Sequence, residues 1–596
     1  MQEKKLYPAK QGDRAIEVIR EIEFSTDPAD FHYMKVNVPC QVACPAYTNI
    51  PAYIRTLYEG RYDRSYELNR IVNVLPGVLG RICSKPCEDV CRHGEAELGE
   101  PVNICHIKRA AADFLEPGHV YMERLFSPLG KSVCVVGAGP AGLAAAHDLA
   151  AVGFEVELLE AFDEPGGMLL YGIPDFRLPR DVLEQEVDSI LRLGVTLKTG
   201  VKVNRDVSIE ELLERHDAVL IAAGCYTALE LGVEGEELPG VLSGLDFVIE
   251  VNSGGKPAVG KKTLVLGAGF TAFDCARLAL RLGSEEVEIC LRATEEDLQV
   301  TADEVAEAKN EGVKIHGLMA SNRIIGNGRV TGVEFSRTRP AGARPDGRRK
   351  VEAIPDSEFV VAADTVIVAI GQSAQSLGGP GDKDDRGVVR VDSESFRTST
   401  PGLYAAGDFV TGPTTVIDAI ARGRSAAERL AEDLTGKHFR QWAVRIQEAT
   451  ITDRDRAWDF IPRTEMPAVT PASDRFEPPE REVELGFSAE QAHSESRRCY
   501  LCYLHYEIDI ERCIYCRYCI DVAPRDCIKL VKEVQTNEVG AVIGLVETTS
   551  WQDVNAVIID NERCIRCGEC VRVCPVDCIS VSKVELVERL LQREKH

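Results

Sequence analysis

Twenty-one cysteines in a chain of 596 residues constrain this sequence more than any other feature. At least fifteen of them fall in short groups, and residues 564–575, CIRCGECVRVCP, have the spacing C-x2-C-x2-C-x3-C-P. Grouped cysteines indicate metal ligands rather than disulfides when the chain stays in a reducing compartment. This particular spacing is typical of iron–sulfur sites and not of zinc sites. We therefore predict a protein that binds several iron–sulfur clusters.

The overall composition agrees with a cytoplasmic location. The chain has no apolar run of about 18 residues, so we expect no transmembrane helix. Its first residues, MQEKKLYPAKQGDR, are polar and lack the apolar core of a signal peptide. The formal net charge of -26 disfavours nucleic acid and anionic membranes as partners.

A first dinucleotide motif begins at residue 133, VCVVGAGPAGLAAAHDLAAVGFEVELLE. An apolar strand leads directly into Gly137, Gly139 and Gly142, and a helix follows. Glycines at these positions permit a tight turn and let the backbone approach a pyrophosphate at the helix N-terminus. Glu160 ends the next strand, where a carboxylate binds the ribose hydroxyls of the adenosine half.

A second dinucleotide motif begins at residue 263, TLVLGAGFTAFDCARLALRLG. Gly267 and Gly269 are present, and Ala272 takes the third position, which is a tolerated variant. The following strand leads to Arg292 rather than to an acid. Arginine at this position can bind a 2′-phosphate, which favours NADPH, with NADH as the alternative. An arginine that is merely exposed at a strand end is the other interpretation.

Three further segments carry a family resemblance: GRICSKPCEDVC at 80–91, EPGGMLLYGIPDFRLP at 164–179 and TSTPGLYAAGD at 398–408. Over residues 38–436 the chain resembles the small subunit of NADPH-dependent glutamate synthase and the N-terminal half of dihydropyrimidine dehydrogenase. It also resembles the large subunit of NADH-dependent ferredoxin:NADP oxidoreductase. The resemblance implies that FAD contacts Gly167, Met168, Gly407 and Asp408, with Asp408 on the ribityl side. The family often has two arginines where this chain has Leu291 and Arg292.

The same resemblance implies an N-terminal iron–sulfur unit. It groups Cys44, Cys83 and Cys87 at one cluster, with Cys105 close to the position of the fourth ligand. Cys40 and Cys91 then remain as half of the ligands of a second cluster. The opening C-x2-C pair of this unit is absent, since its places fall near His32 and Lys35.

The segment ESRRCYLCY, residues 495–503, resembles the missing pair, because an acidic and then basic residues lead into a C-x2-C pair. Our hypothesis is that Cys499 and Cys502 return from the C-terminal part to join Cys40 and Cys91. A Pro-rich segment before the pair could wrap back across the molecule. The alternatives are a ligand pair for another nearby cluster, or spare thiols.

The C-terminal repeat resembles a bacterial two-cluster ferredoxin, in which the fourth cysteine of each motif binds the other cluster. Cys513, Cys516 and Cys519 should therefore act with Cys574. The other set, Cys564, Cys567 and Cys570, lacks a fourth ligand because Ala523 stands in its place. Cys527 lies four residues on, but Cys578 occupies the equivalent place in the second motif, which suggests that both are structural. A three-iron cluster, a four-iron cluster with Cys527 or another ligand, and an empty site all stay open; we favour a substitute ligand.

The predicted fold class is α/β with five parts. They are a helical N-terminal iron–sulfur domain (1–130), a Rossmann-like FAD domain (131–240 and 364–436), a Rossmann-like NAD(P)H domain (241–363), a Pro-rich linker or wrapping arm (437–495) and an α+β ferredoxin-like domain (496–596).

The predicted function is an electron-transfer oxidoreductase that uses NADPH, FAD and three to four 4Fe–4S clusters, one of them alternatively a 3Fe–4S cluster. No catalytic side chain is identified, because the hydride chemistry belongs to the cofactors. The expected partner is a ferredoxin or the catalytic subunit of a larger hetero-oligomeric complex, such as a 2-oxoacid oxidoreductase. A flavin-based bifurcating subunit and a non-catalytic redox sensor or scaffold are the alternatives.

Overall fold

The architecture comes from a computed structural model. It describes residues 17–21, 28–29, 31–95, 99–116, 126–343, 349–377, 384, 390–450, 453–536 and 542–591. The predicted domain limits at residues 1 and 596 lie outside these ranges. None of the helices within them combines the length and the apolar content needed to cross a bilayer.

The N-terminal part is one strand followed by short helices. Four of these helices have proline in their first turn, where a missing N–H costs no helical hydrogen bond. The elements are β1 (Glu17–Glu21), α1 (Phe31–Asn37), α2 (Pro39–Ala43), α3 (Ile50–Tyr58), α4 (Tyr62–Asn73), α5 (Pro76–Ile82), α6 (Pro86–Asp89) and α7 (Ile104–Asp113).

The central part holds two parallel sheets. The elements of its first stretch are β2 (Ser132–Val136), α8 (Pro140–Ala151), β3 (Glu155–Leu159), α9 (Met168–Tyr171), α10 (Arg180–Leu191), β4 (Thr196–Lys198), α11 (Ile209–Arg215), β5 (Ala218–Ile221) and β6 (Thr227–Ala228). The second stretch contains β7 (Val241–Ser243), α12 (Gly244–Asn252), β8 (Lys262–Leu266), α13 (Phe270–Arg281), β9 (Glu286–Cys290), α14 (Ala302–Asn310), β10 (Lys314–His316), β11 (Met319–Gly326), β12 (Val330–Ala343), β13 (Arg349–Ala362) and β14 (Thr365–Val368). The chain then returns through β15 (Gln372–Ser373), β16 (Leu403–Ala405), α15 (Asp408–Thr411) and α16 (Val416–Thr435).

The first parallel sheet has the strand order β16-β5-β2-β3-β4, and the second has the order β10-β9-β8-β14-β7. Strand β14 pairs in parallel with β8 and β7, so it belongs to the second sheet. The predicted return to the FAD domain at residue 364 is therefore one strand too early. The antiparallel sheet β11-β12-β13 lies in the second stretch. Strands β6 and β15 lie in the two segments in which the chain passes between the parallel sheets, and they pair with each other.

The C-terminal part is a ferredoxin-like unit with an added hairpin. Its elements are β17 (Arg440–Glu448), α17 (Ala489–Arg497), β18 (Leu504–Ile508), α18 (Tyr518–Val522), β19 (Ile528–Thr536), β20 (Val542–Thr548), β21 (Ala556–Ile559), α19 (Glu569–Arg572) and β22 (Ile579–Leu590). Strands β19 and β20 pair antiparallel between the two cysteine motifs. Strand β22 lies between β17 and β18, so the segment predicted as a linker contributes an edge strand to this unit.

The Pro-rich segment is anchored on two domains. Arg475 donates to Glu307 of the second Rossmann-like domain at 2.6 Å. Arg81 of the N-terminal domain donates to Glu482 at 2.8 Å. The segment therefore crosses the flavoprotein and brings the chain back to the N-terminal helices before Cys499.

A buried ion network fastens the C-terminal unit to the first sheet domain. Arg424 donates to Asp148 at 2.9 Å and to Glu588 on β22 at 2.8 Å, and Arg440 also contacts Asp148. Burial alone would raise the pKa of Asp148, but the two arginines hold that pKa well below its ordinary value. The carboxylate thus stays charged and holds the two units together.

Candidate functional site

The first glycine-rich turn forms a narrow cradle at the end of β2. Gly137 has φ +105°, and a Cβ there would lie 2.5 Å from the Ala222 carbonyl oxygen. A Cβ on Gly142 would lie 1.8 Å from the Gly137 carbonyl oxygen, so α8 packs directly on the turn. Gly139 precedes α8, and its Cα faces Gly167, which itself has φ +55°. The open space beside Gly139 suits a pyrophosphate at the helix N-terminus.

Two carboxylates border this cradle. Glu160 accepts hydrogen bonds from the Ala138 N–H at 2.8 Å and the Phe162 N–H at 3.0 Å, which fixes its orientation beside the turn. Asp408 begins α15 directly after Gly407 and accepts from the Thr414 N–H at 3.1 Å. Burial raises the pKa of both carboxyl groups. The cradle therefore offers donors for phosphates and fixed acceptors for hydroxyls, which fits FAD.

Other predicted FAD contacts lie at the same place. Met168 is the first residue of α9, directly after Gly167, and the Gly166 N–H donates to the Ala138 carbonyl at 2.9 Å. A Cβ on Gly407 would lie 2.7 Å from the Ala141 Cβ on α8. The structure thus brings the loops after β2, β3 and β16 together at one edge of the first sheet. Ligands of parallel α/β sheets bind at this edge.

The second glycine-rich turn lies at the end of β8. A Cβ on Gly267 would lie 2.2 Å from the Ala369 carbonyl oxygen, whereas Gly269 faces open space before α13. Ala272 is fully buried in the first turn of that helix. Arg292 follows β9 with an exposed side chain that makes no ion pair in the described part of the chain. The site fits a dinucleotide, with a free guanidinium for a 2′-phosphate.

Replacing Arg292 with alanine is expected to weaken NADPH selectively. A hydrogen bond to a charged group contributes roughly 1.5–3 kcal/mol, so the KM for NADPH should rise about 10- to 100-fold. The KM for NADH should not change, because NADH lacks the phosphate. Steady-state rates with both nucleotides measure the effect, and Arg215→Ala on the exposed end of α11 is the control. Equal changes for both nucleotides would contradict this role.

A first cysteine group lies among α2, α5, α6 and α7. The thiol of Cys105 lies close enough to those of Cys83 and Cys87 to interact with both. Lys108 is buried beside these three thiols and that of Cys44. Burial alone would lower the pKa of Lys108, but the thiols raise it above its ordinary value. The group combines four neighbouring thiols, which fit a cluster site, with one buried cation that can offset a cluster's negative charge.

A second group joins distant parts of the chain. One cavity is lined by Cys40, Cys91, Cys499 and Cys502. The structure therefore brings together the four cysteines that the sequence hypothesis combines, and four thiols around one cavity fit a 4Fe–4S cluster.

Two groups belong to the C-terminal repeat: the third is Cys564, Cys567 and Cys570, and the fourth is Cys513, Cys516, Cys519 and Cys574. Cys513, Cys516, Cys519 and Cys574 line one cavity together with Cys578, whose sulfur lies 3.4 Å from that of Cys574. The other set, Cys564, Cys567 and Cys570, is buried, and the charges of its three thiols interact. Cys527 is buried in the same hydrophobic cluster, and its thiol lies close enough to that of Cys564 to interact with it. The symmetry of the two motifs suggested that Cys527 and Cys578 are structural, while Cys527 stayed open as a substitute ligand; both lie beside predicted ligands.

Buried arginines separate the second group from the third. Arg92 donates to the Cys502 sulfur at 3.7 Å and to the Asn561 carbonyl at 3.0 Å. Arg454 donates to the Cys499 carbonyl at 3.3 Å and to the Ile565 carbonyl at 3.0 Å. Arg566 contacts the carbonyls of Cys502 and Cys564. The two groups are thus neighbours across a layer of positive charge, which stabilises reduced clusters.

Four remaining cysteines stand apart from these groups. Each of them is buried: Cys134, Cys225, Cys275 and Cys290. The Cys225 thiol donates to the Asp408 carbonyl at 3.1 Å. No pair among them forms a disulfide in the described residues.

Three family models match the chain in order. Residues 33–119 match the dihydropyrimidine dehydrogenase domain II with a 4Fe–4S cluster. Residues 131–423 match pyridine nucleotide-disulphide oxidoreductase, and residues 512–578 match a 4Fe–4S dicluster domain.

Known proteins align over most of the chain. The NADP(+)-dependent formate dehydrogenase subunit beta of Moorella thermoacetica is 35% identical over 78% of this chain and 71% of that protein. The NADPH-Fe(3+) oxidoreductase subunit beta of Geobacter sulfurreducens is 35% identical over 80% and 77%. The glutamate synthase [NADPH] small chain of Azospirillum brasilense is 37% identical over 65% and 85%.

These matches and the two nucleotide sites confirm the predicted fold class, the cofactors FAD and NADP, and the 4Fe–4S domains. They also confirm an NADPH-dependent electron-transfer oxidoreductase. The chain belongs to the family of glutamate synthase small-subunit-like FAD- and iron–sulfur-dependent NADPH oxidoreductases, with a ferredoxin domain at its C-terminal end.

Proposed function

We propose that this chain exchanges electrons between NADPH and either a ferredoxin or a catalytic partner subunit. The observation that carries the proposal is the series of four cysteine groups that leads from the flavoprotein to the surface. FAD, when bound, exchanges a hydride with NADPH and single electrons with iron–sulfur clusters. The protein supplies the FAD cradle, the order in which the cysteine groups follow one another and the surface at which this series ends.

The proposed ligand sets follow the groups described above. They are Cys44 with Cys83, Cys87 and Cys105; Cys40 with Cys91, Cys499 and Cys502; Cys564 with Cys567 and Cys570; and Cys513 with Cys516, Cys519 and Cys574.

The first group lies beside a helix that contacts the FAD domain. Helix α5, which ends directly before Cys83, docks on α10 of the FAD domain through Glu186. That carboxylate accepts hydrogen bonds from the Gly77 N–H at 2.7 Å and the Val78 N–H at 3.0 Å. Tyr53 is buried between the first and second groups, since its ring is close to cysteines of both. These contacts support an order in which the first group receives electrons before the second.

The fourth group supports an exit at the surface. All four of its cysteines are partly exposed, whereas those of the third group are buried. Ile514 and Tyr518, beside these cysteines, are 58% and 56% exposed, and Arg517 lies over the Trp551 ring. Exposed large apolar side chains next to an accessible redox site favour transient docking of a protein partner.

The names of the relatives support a partner subunit. Two are called beta subunits and one a small chain, and each name includes NADP or NADPH. We therefore propose that this chain is the nucleotide-oxidising subunit of a hetero-oligomeric complex in the cytoplasm.

An anaerobic steady-state assay tests this function. Full-length protein loaded with FAD and iron–sulfur clusters is mixed with NADPH and an oxidised ferredoxin, and ferredoxin reduction is followed by its absorbance. We expect turnover with NADPH and much less with NADH. Reduction of the clusters by NADPH without any reduction of ferredoxin would reject ferredoxin as the acceptor and leave the catalytic subunit.

A further inference from the structure

The two halves of the C-terminal repeat differ at one ligand position. The second motif is C-x2-C-x2-C-x3-C-P, whereas the first ends in Ala523 before Pro524. In two-cluster ferredoxins the fourth cysteine of each motif crosses to the other cluster. The set of Cys564, Cys567 and Cys570 is therefore one ligand short, and the methyl group of Ala523 cannot bind iron.

Cys527 lies where the missing sulfur is needed. Its side chain is 5% exposed, and it lies in the same buried hydrophobic cluster as Cys564 and Cys570, close enough for its thiol to interact with both of theirs. The backbone holds it there, because the Asp560 N–H donates to the Cys527 carbonyl at 2.7 Å and the Cys564 N–H donates to the Asp560 carbonyl at 3.0 Å. The start of β19 and the second motif are thus fixed against each other.

Asp560, an alternative ligand that is hydrogen-bonded to Cys527 through the backbone, is already engaged. Its Oδ1 accepts hydrogen bonds from the Glu562 N–H at 3.0 Å and the Arg563 N–H at 3.3 Å. These bonds close the turn before Cys564 and orient the carboxylate towards its own backbone. A thiol is also the preferred ligand of iron in such clusters.

Cys578 provides an internal comparison, because it occupies the same place in the second motif as Cys527 in the first. Its sulfur lies 3.4 Å from that of Cys574, in a group that already has four cysteines at the ordinary spacing. The thiol of Cys578 is therefore surplus. The equivalent thiol of Cys527 lies beside a group of three.

We propose that Cys527 is the fourth ligand of a 4Fe–4S cluster held by Cys564, Cys567 and Cys570. The ligand has moved four residues along the chain, from the turn at Ala523 to the start of β19. This inference rests on the cluster assignments of the proposed function, but not on the acceptor or on the direction of electron flow.

Iron analysis and EPR spectroscopy of full-length protein test the proposal. Anaerobically prepared wild-type protein should hold about sixteen iron atoms per chain in four 4Fe–4S clusters. When it is oxidised, it should show no 3Fe–4S signal. The variant Cys527→Ala should lose between about one and four iron atoms and, where a cluster remains, show a 3Fe–4S signal. The matched variant Cys578→Ala should keep the wild-type iron content.

A second variant protects the test against simple misfolding. Adding Ala523→Cys to Cys527→Ala restores the ordinary motif, and we expect it to restore the lost iron. The proposal is overturned if wild-type protein already contains a 3Fe–4S cluster, if Cys527→Ala keeps all its iron, or if Cys578→Ala loses as much. A wild-type protein with no iron in the C-terminal unit would instead reject the proposed function itself.

Discussion

Replacing Cys499 and Cys502 together with serine is expected to remove one cluster, or about four iron atoms per chain. These two residues supply half of the sulfur ligands around one cavity, and Cys40 and Cys91 alone cannot hold the cluster. NADPH should still bleach the flavin, because the FAD cradle lies in another domain. Reduction of an acceptor at the ferredoxin end should fall to background, because the second group connects the first group to the third.

The control for this variant is Cys134→Ala, which removes a buried thiol of β2 that lies outside all four groups. It should keep the wild-type iron content and electron transfer. Iron analysis, flavin absorbance and ferredoxin reduction are measured on the same preparations. An unchanged iron content in the double variant would show that the pair is not a ligand pair.

Replacing Gly139 with alanine is expected to weaken FAD binding while leaving the fold intact. The nearest heavy atom to the new Cβ would be the Gly167 Cα at 3.8 Å, and the backbone at Gly139 is extended. The methyl group therefore clashes with nothing in the protein but occupies the space of a pyrophosphate. Overpacking costs roughly 1–3 kcal/mol, so FAD affinity should fall about 10- to 100-fold. Flavin content and flavin titration of the apoprotein measure this.

The matched variant is Gly269→Ala, at the same position of the second motif, where nothing lies within 4 Å of the added Cβ. It should keep FAD and weaken NADPH instead. The pair separates the two nucleotide sites, which a single loss of activity could not do. Normal flavin content in Gly139→Ala, or loss of flavin in Gly269→Ala, would contradict the assignment of the two turns.

Local patterns made much of this structure predictable. The strand–glycine–helix motifs fix the turns at Gly137 and Gly267, since few other backbones join these elements. The family resemblance likewise indicated how the N-terminal cysteines are grouped, and the likeness of Cys499 and Cys502 to the missing pair indicated that they meet Cys40 at one cavity. Each of these inferences depends on residues that are close in sequence, or on cysteines that complete a cysteine set with missing members.

Contacts between distant segments were not predictable in the same way. An apolar strand such as β14 fits either parallel sheet by its sequence, and only pairing decides between them. The position of Cys527 depends on the packing of β19 against the turn at Asp560. Arginines are usually solvent-exposed, so nothing in the sequence indicated that Arg92, Arg454 and Arg566 lie buried between two cysteine groups.

The most direct test of the central claim is an anaerobic stopped-flow experiment on full-length wild-type protein. The oxidised protein is mixed with NADPH, and separately with NADH, while flavin and iron–sulfur absorbance are recorded together. A continuous electron path predicts that NADPH bleaches the flavin first and the clusters directly afterwards, with reduction of added ferredoxin last. Flavin bleaching that never reaches the iron–sulfur absorbance would contradict the account.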